Sequence, residues 1–322
     1  VGDGVTAEEV KGILLGMASG QETLLGYFRR FIRNFEKRVG INRTVGSLRA
    51  YSNAYSHIER FLQAQYKLSD IPFSALDRSF INKYDLYLRT ERNLAPGTII
   101  NLTVQLKTIV GEAIADGIIP ASPFMGYEPV RPKHVQKYLT AEELHRIMTT
   151  PLHRQTLYHV RDMFLFSCFT GIPYGDMRLL TKDNLCLAED GIWWIKSARQ
   201  KTKIEFEIPL LDLPLQILKK YSGTAPGDKL LPMYCNSTLN LYLKEIARIC
   251  HIDRPLVFHA GRHTYATEIT LSHGVPLETV SRMLGHSQIE TTQIYAKVTD
   301  EKIDADTKTL NRKISERFSV VI

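Results

Sequence analysis

Residues 259–295, HAGRHTYATEITLSHGVPLETVSRMLGHSQIETTQIY, constrain this chain more than any other stretch. Three polar groupings stand at fixed separations: His259-x-x-Arg262-His263, then Leu284-Gly285-His286, then Tyr295 nine residues beyond the last histidine. Apolar residues at helical spacing fill the gaps, so the polar groups ride on packed elements. On a helix His259 and Arg262 share a face, where they offer donors to the non-bridging oxygens of a phosphate, a geometry a guanidinium matches bidentately. His259 and His263 have the i, i+4 spacing of a zincin site, but Ala260 stands where that site needs a glutamate, so no metal is expected. His263 reads as a packed or capping histidine. Gly285 suits a left-handed C-cap, which would present His286 at a helix junction. Tyr295 would be a core aromatic in most helices. As a nucleophile, with a reference pKa of about 10, it needs neighbouring cations, and the Arg/His cluster supplies them.

A chain of 322 residues, 44% hydrophobic and 23% charged, has the composition of a soluble globular protein with two domains. No long apolar run suggests a membrane span, and no secretory signal is visible. Because the chain starts at Val1, residues 1–19 are expected to be the end of a longer N-terminal region. Cys168, Cys186, Cys235 and Cys250 are scattered, which argues against a disulfide framework or a zinc site and fits a cytoplasmic protein. Net charge is +7, with 17 basic and 13 acidic residues in 1–135 and 24 and 21 in the remainder. Both parts are mildly basic, as suits a grip on a polyanion, although such a pI is common and decides little alone.

Helical stripes run through Leu24, Phe28, Phe31, Ile32 and Phe35, through Leu48, Tyr51, Tyr55, Ile58 and Leu62, and through Phe80, Ile81, Tyr84 and Leu88. Pro96-Gly97 breaks the chain before a fourth helix from Thr98 to about Asp116. Residues 20–120 therefore form an all-α domain, and the proline-rich residues 121–137 an extended linker. A second domain, 138–322, opens with a capping box at Thr140 and Glu143. Further helices are expected near 154–169, 174–180, 213–221, 239–251 and 265–272, with the last two beginning at Pro276 and Thr291 and ending near Leu284 and Val298. Between them, Trp193, Trp194 and Ile195, then Ile204, Phe206 and Ile208, favour strands around a turn rich in Lys and Arg. The fold class is mainly α with a small antiparallel hairpin.

These residues resemble the tyrosine recombinase (phage integrase) family, whose catalytic domain has H-x-x-R, then L-G-H, then a nucleophilic tyrosine nine residues on. The family's hairpin lysine lies eight residues before the proline of a closing I-P-L, and Ile208-Pro209-Leu210 places it at Lys201. The resemblance covers nearly the whole chain and implies Tyr295 as nucleophile, Arg262, His259 and His286 as phosphate ligands, and Lys201 as the acid for the leaving oxygen. It further implies a two-domain clamp on double-stranded DNA, a monomer in free solution that becomes a homotetramer on two DNA sites, exchange through a Holliday junction, no cofactor, and an accessory DNA-bending protein.

One position departs from the pattern. The family's first catalytic arginine follows Thr-Gly-Leu or Thr-Gly-Ile, whereas Thr170-Gly171-Ile172 leads here into Pro173, as in some recombinases of mobile elements. Losing one transition-state donor costs about 10² to 10³ in rate. Two substitutes stand out. Arg199 would share a strand face with Lys201, and Arg161 lies on the preceding helix, about 12 Å of helical rise before Phe169. Asp176 reads as a buttress. Alternatives to an integrase are a chromosome or plasmid dimer resolvase and a non-catalytic DNA-binding regulator. The charged tail after Val298, with Ile303, Leu310, Ile314 and Phe318, is expected to pack on its own domain or on a neighbouring protomer, with swapping favoured by the resemblance.

Overall fold

The computed structural model describes residues 7–18, 20–131, 137–295 and 300–315. The chain divides into two units between residues 134 and 135. The first is all-helical: α1 (Ala7–Ala18), α2 (Leu24–Glu36), α3 (Val45–Phe61), α4 (Arg78–Thr90) and α5 (Pro96–Ala115). Its helix starts are chemically marked. Thr44 accepts the Ser47 amide and Asp77 that of Phe80, satisfying first-turn donors that have no helical partner. Pro96 takes the first helical position, where a missing N–H costs nothing, so Pro96-Gly97 is the first turn of α5 and not a break before it. Phe28, Phe61, Phe80 and Tyr84 form the centre of the core, almost wholly hidden from solvent.

Residues 7–18 form a helix whose Ile13 joins the same core. One expectation for this unit changes. The linker expected at 121–137 is in its first part packed structure: Phe124 is 1% exposed and stacks on Phe80 at 6.3 Å. The Tyr127 hydroxyl donates to Asp85 at 3.0 Å, and Lys107 donates to the Tyr127 carbonyl at 3.3 Å. Prolines erase helical period, and two aromatics in a short irregular stretch leave no period of their own; their burial holds it instead. Residues 132–136 of the expected linker lie outside the described residues.

In the second unit α6 (Ala141–Thr149) begins at the expected capping box, and its Glu143 also receives both guanidinium nitrogens of Arg254 at 2.6 Å. The next helix, α7 (Gln155–Thr170), buries Leu157, Val160, Met163, Phe164, Leu165, Phe166 and Cys168 and hides nearly every side chain from Asp162 on, so it forms the axis of the core. After the short α8 (Tyr174–Met177) comes an antiparallel sheet of β1 (Leu185–Leu187), β2 (Trp193–Ala198) and β3 (Glu205–Pro209), in that order. Ile195 pairs with Ile208 and Ser197 with Phe206 on the buried face, while Lys196 pairs with Glu207 on the other. Three residues of β1 are too few for alternation to show in the sequence.

The remaining helices are α9 (Asp212–Lys220), α10 (Asn236–Ile249), α11 (Ala260–Thr264), α12 (Leu277–Leu284), α13 (Glu290–Gln293) and α14 (Asp300–Ser315). The helix expected from 265 starts at Ala260 and widens into a π turn at Tyr265–Thr270. The expected end near Val298 lies outside the described residues, as do the side chains of Ile303 and Phe318, whereas Leu310 and Ile314 on α14 are exposed. The whole is mainly helical with one small antiparallel sheet.

If residues 118–131 belong to the first unit, Phe124→Ala should lower that unit's stability by about 3–5 kcal/mol, the cost of emptying a fully buried aromatic site. Limited proteolysis of the variant should then cut between residues 118 and 131 before the helices, a site the parent protects.

Candidate active site

The site is built around Arg262, 3% exposed, whose guanidinium is held by main-chain carbonyls. Its Nη1 donates to the Gly171 carbonyl at 2.9 Å, and its Nη2 to the Leu284 carbonyl at 2.6 Å and to His286 Nε2 at 2.8 Å. Gly171 ends α7 in the left-handed region, at φ 69, and a Cβ there would stand 2.5 Å from the Tyr265 ring and 2.8 Å from Leu284. Only glycine therefore lets that carbonyl turn toward the arginine. Gly285 caps α12 in the same conformation, and His286 follows with its Nδ1 2.7 Å from the buried Thr292 Oγ1.

Tyr295 closes the group. It packs with Tyr265, Ala266, Val280 and Leu284 in a small apolar cluster, lies parallel to His286 at 6.3 Å and meets the His263 ring edge-on at 5.0 Å. His263 in turn sits 4.9 Å from His259. Expected to be a packing residue, it is brought into the site.

Of Arg199 and Arg161, Arg199 lines the cavity around Tyr295. Its Nε lies 2.9 Å from the buried Asp176 carboxylate, and its Nη1 donates to the Leu284 carbonyl at 3.3 Å. Asp176 also accepts the Gln200 amide at 2.9 Å, so one carboxylate fixes both the side chain and the turn that carries it. The aliphatic stem of Arg199 passes over Gly285, where a Cβ would be 2.9 Å from its Cγ. The strand argument for Arg199 does not hold, because β2 ends at Ala198; Arg199 and Lys201 belong to the turn beyond it and still face one cavity. Arg161 is elsewhere, 3.4 Å from Asp162, donating to the Met148 carbonyl at 3.3 Å and lying over the Tyr158 ring. It lines no part of this cavity.

That cavity, about 790 Å³, is lined by Arg199, Lys201, His259, Arg262, His263, His286 and Tyr295, and also by Lys137, which sequence reasoning missed. Nothing in the Pro-rich segment marks Lys137. Thr292, on α13 ahead of the turn that carries Tyr295, is equally unmarked in the sequence. Lys201 is exposed on the turn and forms no ion pair among the described residues.

Crowded cations and burial set the protonation states. Burial, then Arg262 and Arg199, lower His286 to about 4. Burial, then His259, Lys137 and Arg262, lower His263 to about 4. His259, exposed but set in a concave wall, is lowered by desolvation first and by Arg262, Arg199 and Lys137 after it. Burial, then Arg199, brings Arg262 down to about 10, which leaves it charged at neutral pH. Burial raises the Tyr295 hydroxyl, and the opposing effects of Arg262, by charge and hydrogen bond, and of Arg199 are smaller.

Comparison with known proteins gives the same picture. Residues 137–302 match the model of the phage integrase family, and residues 23–129 that of the phage integrase SAM-like domain. The chain belongs to the phage integrase family. It is 25% identical to the tyrosine recombinase XerD of Listeria monocytogenes over 273 residues, 80% of this chain and 89% of that one. With the XerD of Staphylococcus saprophyticus it shares 26% over 297 residues, 88% and 96% of the two chains. Among solved structures it resembles the Tn1549 transposon integrase in complex with transposon right-end DNA (TM-score 0.69, 19% identity, 90% of this chain and 99% of that one). It is also similar to a lambda integrase tetramer bound to a Holliday junction (TM-score 0.68, 17% identity, 87% and 80%). At these identities the structures establish the fold. As a phage integrase family member with tyrosine recombinase relatives, the chain is a site-specific recombinase, an enzyme of DNA strand cleavage and rejoining.

The lowered histidines carry a sign. Above pH 6.5 they are neutral folded or unfolded; as pH falls toward 4 the unfolded chain binds protons that the folded chain refuses. Stability of this unit should therefore be full above pH 6.5 and fall between 6.5 and 4. Urea midpoints measured across that range should show the fall, and replacing both His263 and His286 with Gln should flatten it.

Proposed function

We propose that this recombinase integrates and excises a mobile element through a covalent 3′-phosphotyrosine on Tyr295, with Arg199 serving where Pro173 has displaced the family's first arginine. The observation that carries the reading is the meeting of Arg199, Arg262, His286 and Lys201 around Tyr295 in one open cavity. As its phenolic proton passes to water in the open cavity, Tyr295 Oη attacks the scissile phosphorus, and the P–O bond to the 5′-oxygen breaks. Lys201, free on its turn, gives that oxygen its proton, and the chain keeps the phosphodiester as an ester of the tyrosine. The two guanidiniums, pinned before substrate arrives, stabilise the charge that develops on the phosphoryl oxygens without reorganising. Attack by a 5′-hydroxyl of the partner strand reverses the step. The reaction consumes no cofactor and releases no phosphate.

Double-stranded DNA is the substrate, and the working assembly is a homotetramer on two sites, formed from monomers and helped by a DNA-bending protein. The domains follow as a core-DNA-binding unit and a catalytic unit, the mildly basic charge of both parts supporting contact with the backbone.

A duplex spanning the element's own junction, nicked beside the crossover point, tests the reading, with the covalent adduct resolved on a denaturing gel. Wild type should accumulate adduct and Tyr295→Phe none; absence of adduct from wild type would leave only a DNA-binding regulator. Arg199→Ala should slow adduct formation by about 10² to 10³, the worth of one transition-state donor, while Arg161→Ala should stay within a few-fold. Lys201→Ala should recover on a 5′-bridging phosphorothiolate, whose thiolate leaves without a proton.

A further inference from the structure

The contact between Arg262 and His286 fixes a proton. A guanidinium has only N–H groups, so at 2.8 Å from Arg262 Nη2 the His286 Nε2 must present its lone pair. The ring's one proton is then on Nδ1, which donates to Thr292 Oγ1 at 2.7 Å. Thr292 is fully buried on α13, out of contact with bulk solvent. His286 thus turns toward the cavity a nitrogen that has no hydrogen to give. In this state it cannot donate to a phosphate.

We infer that Thr292 is a positioning residue that holds His286 as the Nδ1–H tautomer, so that capture of the phosphate requires His286 to take up one proton at Nε2 as Arg262 transfers its hydrogen bond to the phosphate oxygen. The inference rests on the recombinase reading only for the identity of the anion. In the free site His286 faces cations throughout: Arg262 from α11, Arg199 from the turn after β2, and the Lys201 and Lys137 ammoniums on the same cavity wall. The other titratable neighbours, His259, His263 and Tyr295, are neutral there, and Asp176 is engaged by Arg199. A tetrahedral anion placed among them reverses the local field, which favours the imidazolium. Nδ1–H stays on Thr292 before and after, so the ring need not flip. The proton comes from solvent and returns to it when the anion leaves.

Proton uptake makes anion affinity pH-dependent with a definite sign. Above the pKa of the bound state, affinity should fall about tenfold per pH unit, one proton per site. Sulfate is the probe, because its charge is constant over the range where phosphate itself titrates. The chain is labelled with ¹⁵N-histidine, and the His286 ring nitrogens are assigned by their loss in His286→Gln. Without sulfate at pH 7, wild type should show a neutral ring protonated on Nδ1; with saturating sulfate it should show both nitrogens protonated. Thr292→Ser, which keeps the hydroxyl, should behave as wild type. Thr292→Val leaves the Nδ1–H buried without an acceptor, whereas Arg262 keeps the Gly171 and Leu284 carbonyls if its contact with the ring is given up. The proton should therefore move to Nε2 and the pH dependence of sulfate affinity flatten, because a neutral ring protonated on Nε2 can donate without uptake. A free wild-type ring protonated on Nε2, a ring left neutral by saturating sulfate, or a Thr292→Val spectrum equal to wild type would each overturn the proposal. None of these readouts uses DNA cleavage. Failure to form a covalent DNA adduct would remove the recombinase reading alone, and a wrong tautomer would remove this inference alone.

Discussion

The second unit depends on one buried charge. Arg262 is nearly inaccessible, and a guanidinium in such a place must have its N–H groups met or the fold bears the desolvation penalty. Two helix ends meet it. The carbonyls of Gly171 and Leu284, orphans at the C-termini of α7 and α12, both point at the same side chain. Helix C-termini carry partial negative charge, so the arrangement is favourable from both sides. It also brings the ends of two sequence-distant helices to one point, and His286 and Tyr295 follow immediately from the second. The charge that organises the site is thus also a part of the packing.

Much of this was legible because the chemistry lies in spacings that helices preserve. His259 and Arg262 stand on one short helix, Gly285 caps the next, and Tyr295 falls where the motif places it. The fold class was legible for the same reason, since the stripes of α2 to α4 and the apolar run Met163–Phe166 of α7 state their faces openly. What stayed hidden was contact without period. Phe124 and Tyr127 bury themselves in a proline-rich stretch, β1 is three residues long, and α1 shows its Ile13 to a core that lies far away in sequence. Neither Lys137 nor Thr292 belongs to a pattern that residue types alone reveal. The choice between Arg199 and Arg161 likewise turned on partners, since both are equally arginine.

Preorganisation and activation are divided here. Arg262 and Arg199 are positioned by the protein itself, through carbonyls and through Asp176, before any substrate arrives. Tyr295, the proposed nucleophile, is not: burial raises its hydroxyl, and His286 presents a lone pair to the cavity. A site that is rigid in its cations and unready in its protons suits an enzyme whose covalent step is useful only on correctly bound DNA.

The pairing of Asp176 with Arg199 couples two positions of the chain. Pro173 is the N-cap of α8, and Asp176 lies one turn further along it, its amide bonded to the Pro173 carbonyl. A Pro173→Arg substitution would therefore bring a second guanidinium to the helix whose carboxylate is already occupied. The incoming charge would compete with the resident one, and repulsion would act against both. A cation at position 173 and the one at Arg199 are thus not independent: they contend for one carboxylate, and changing both would not give the sum of the two single changes.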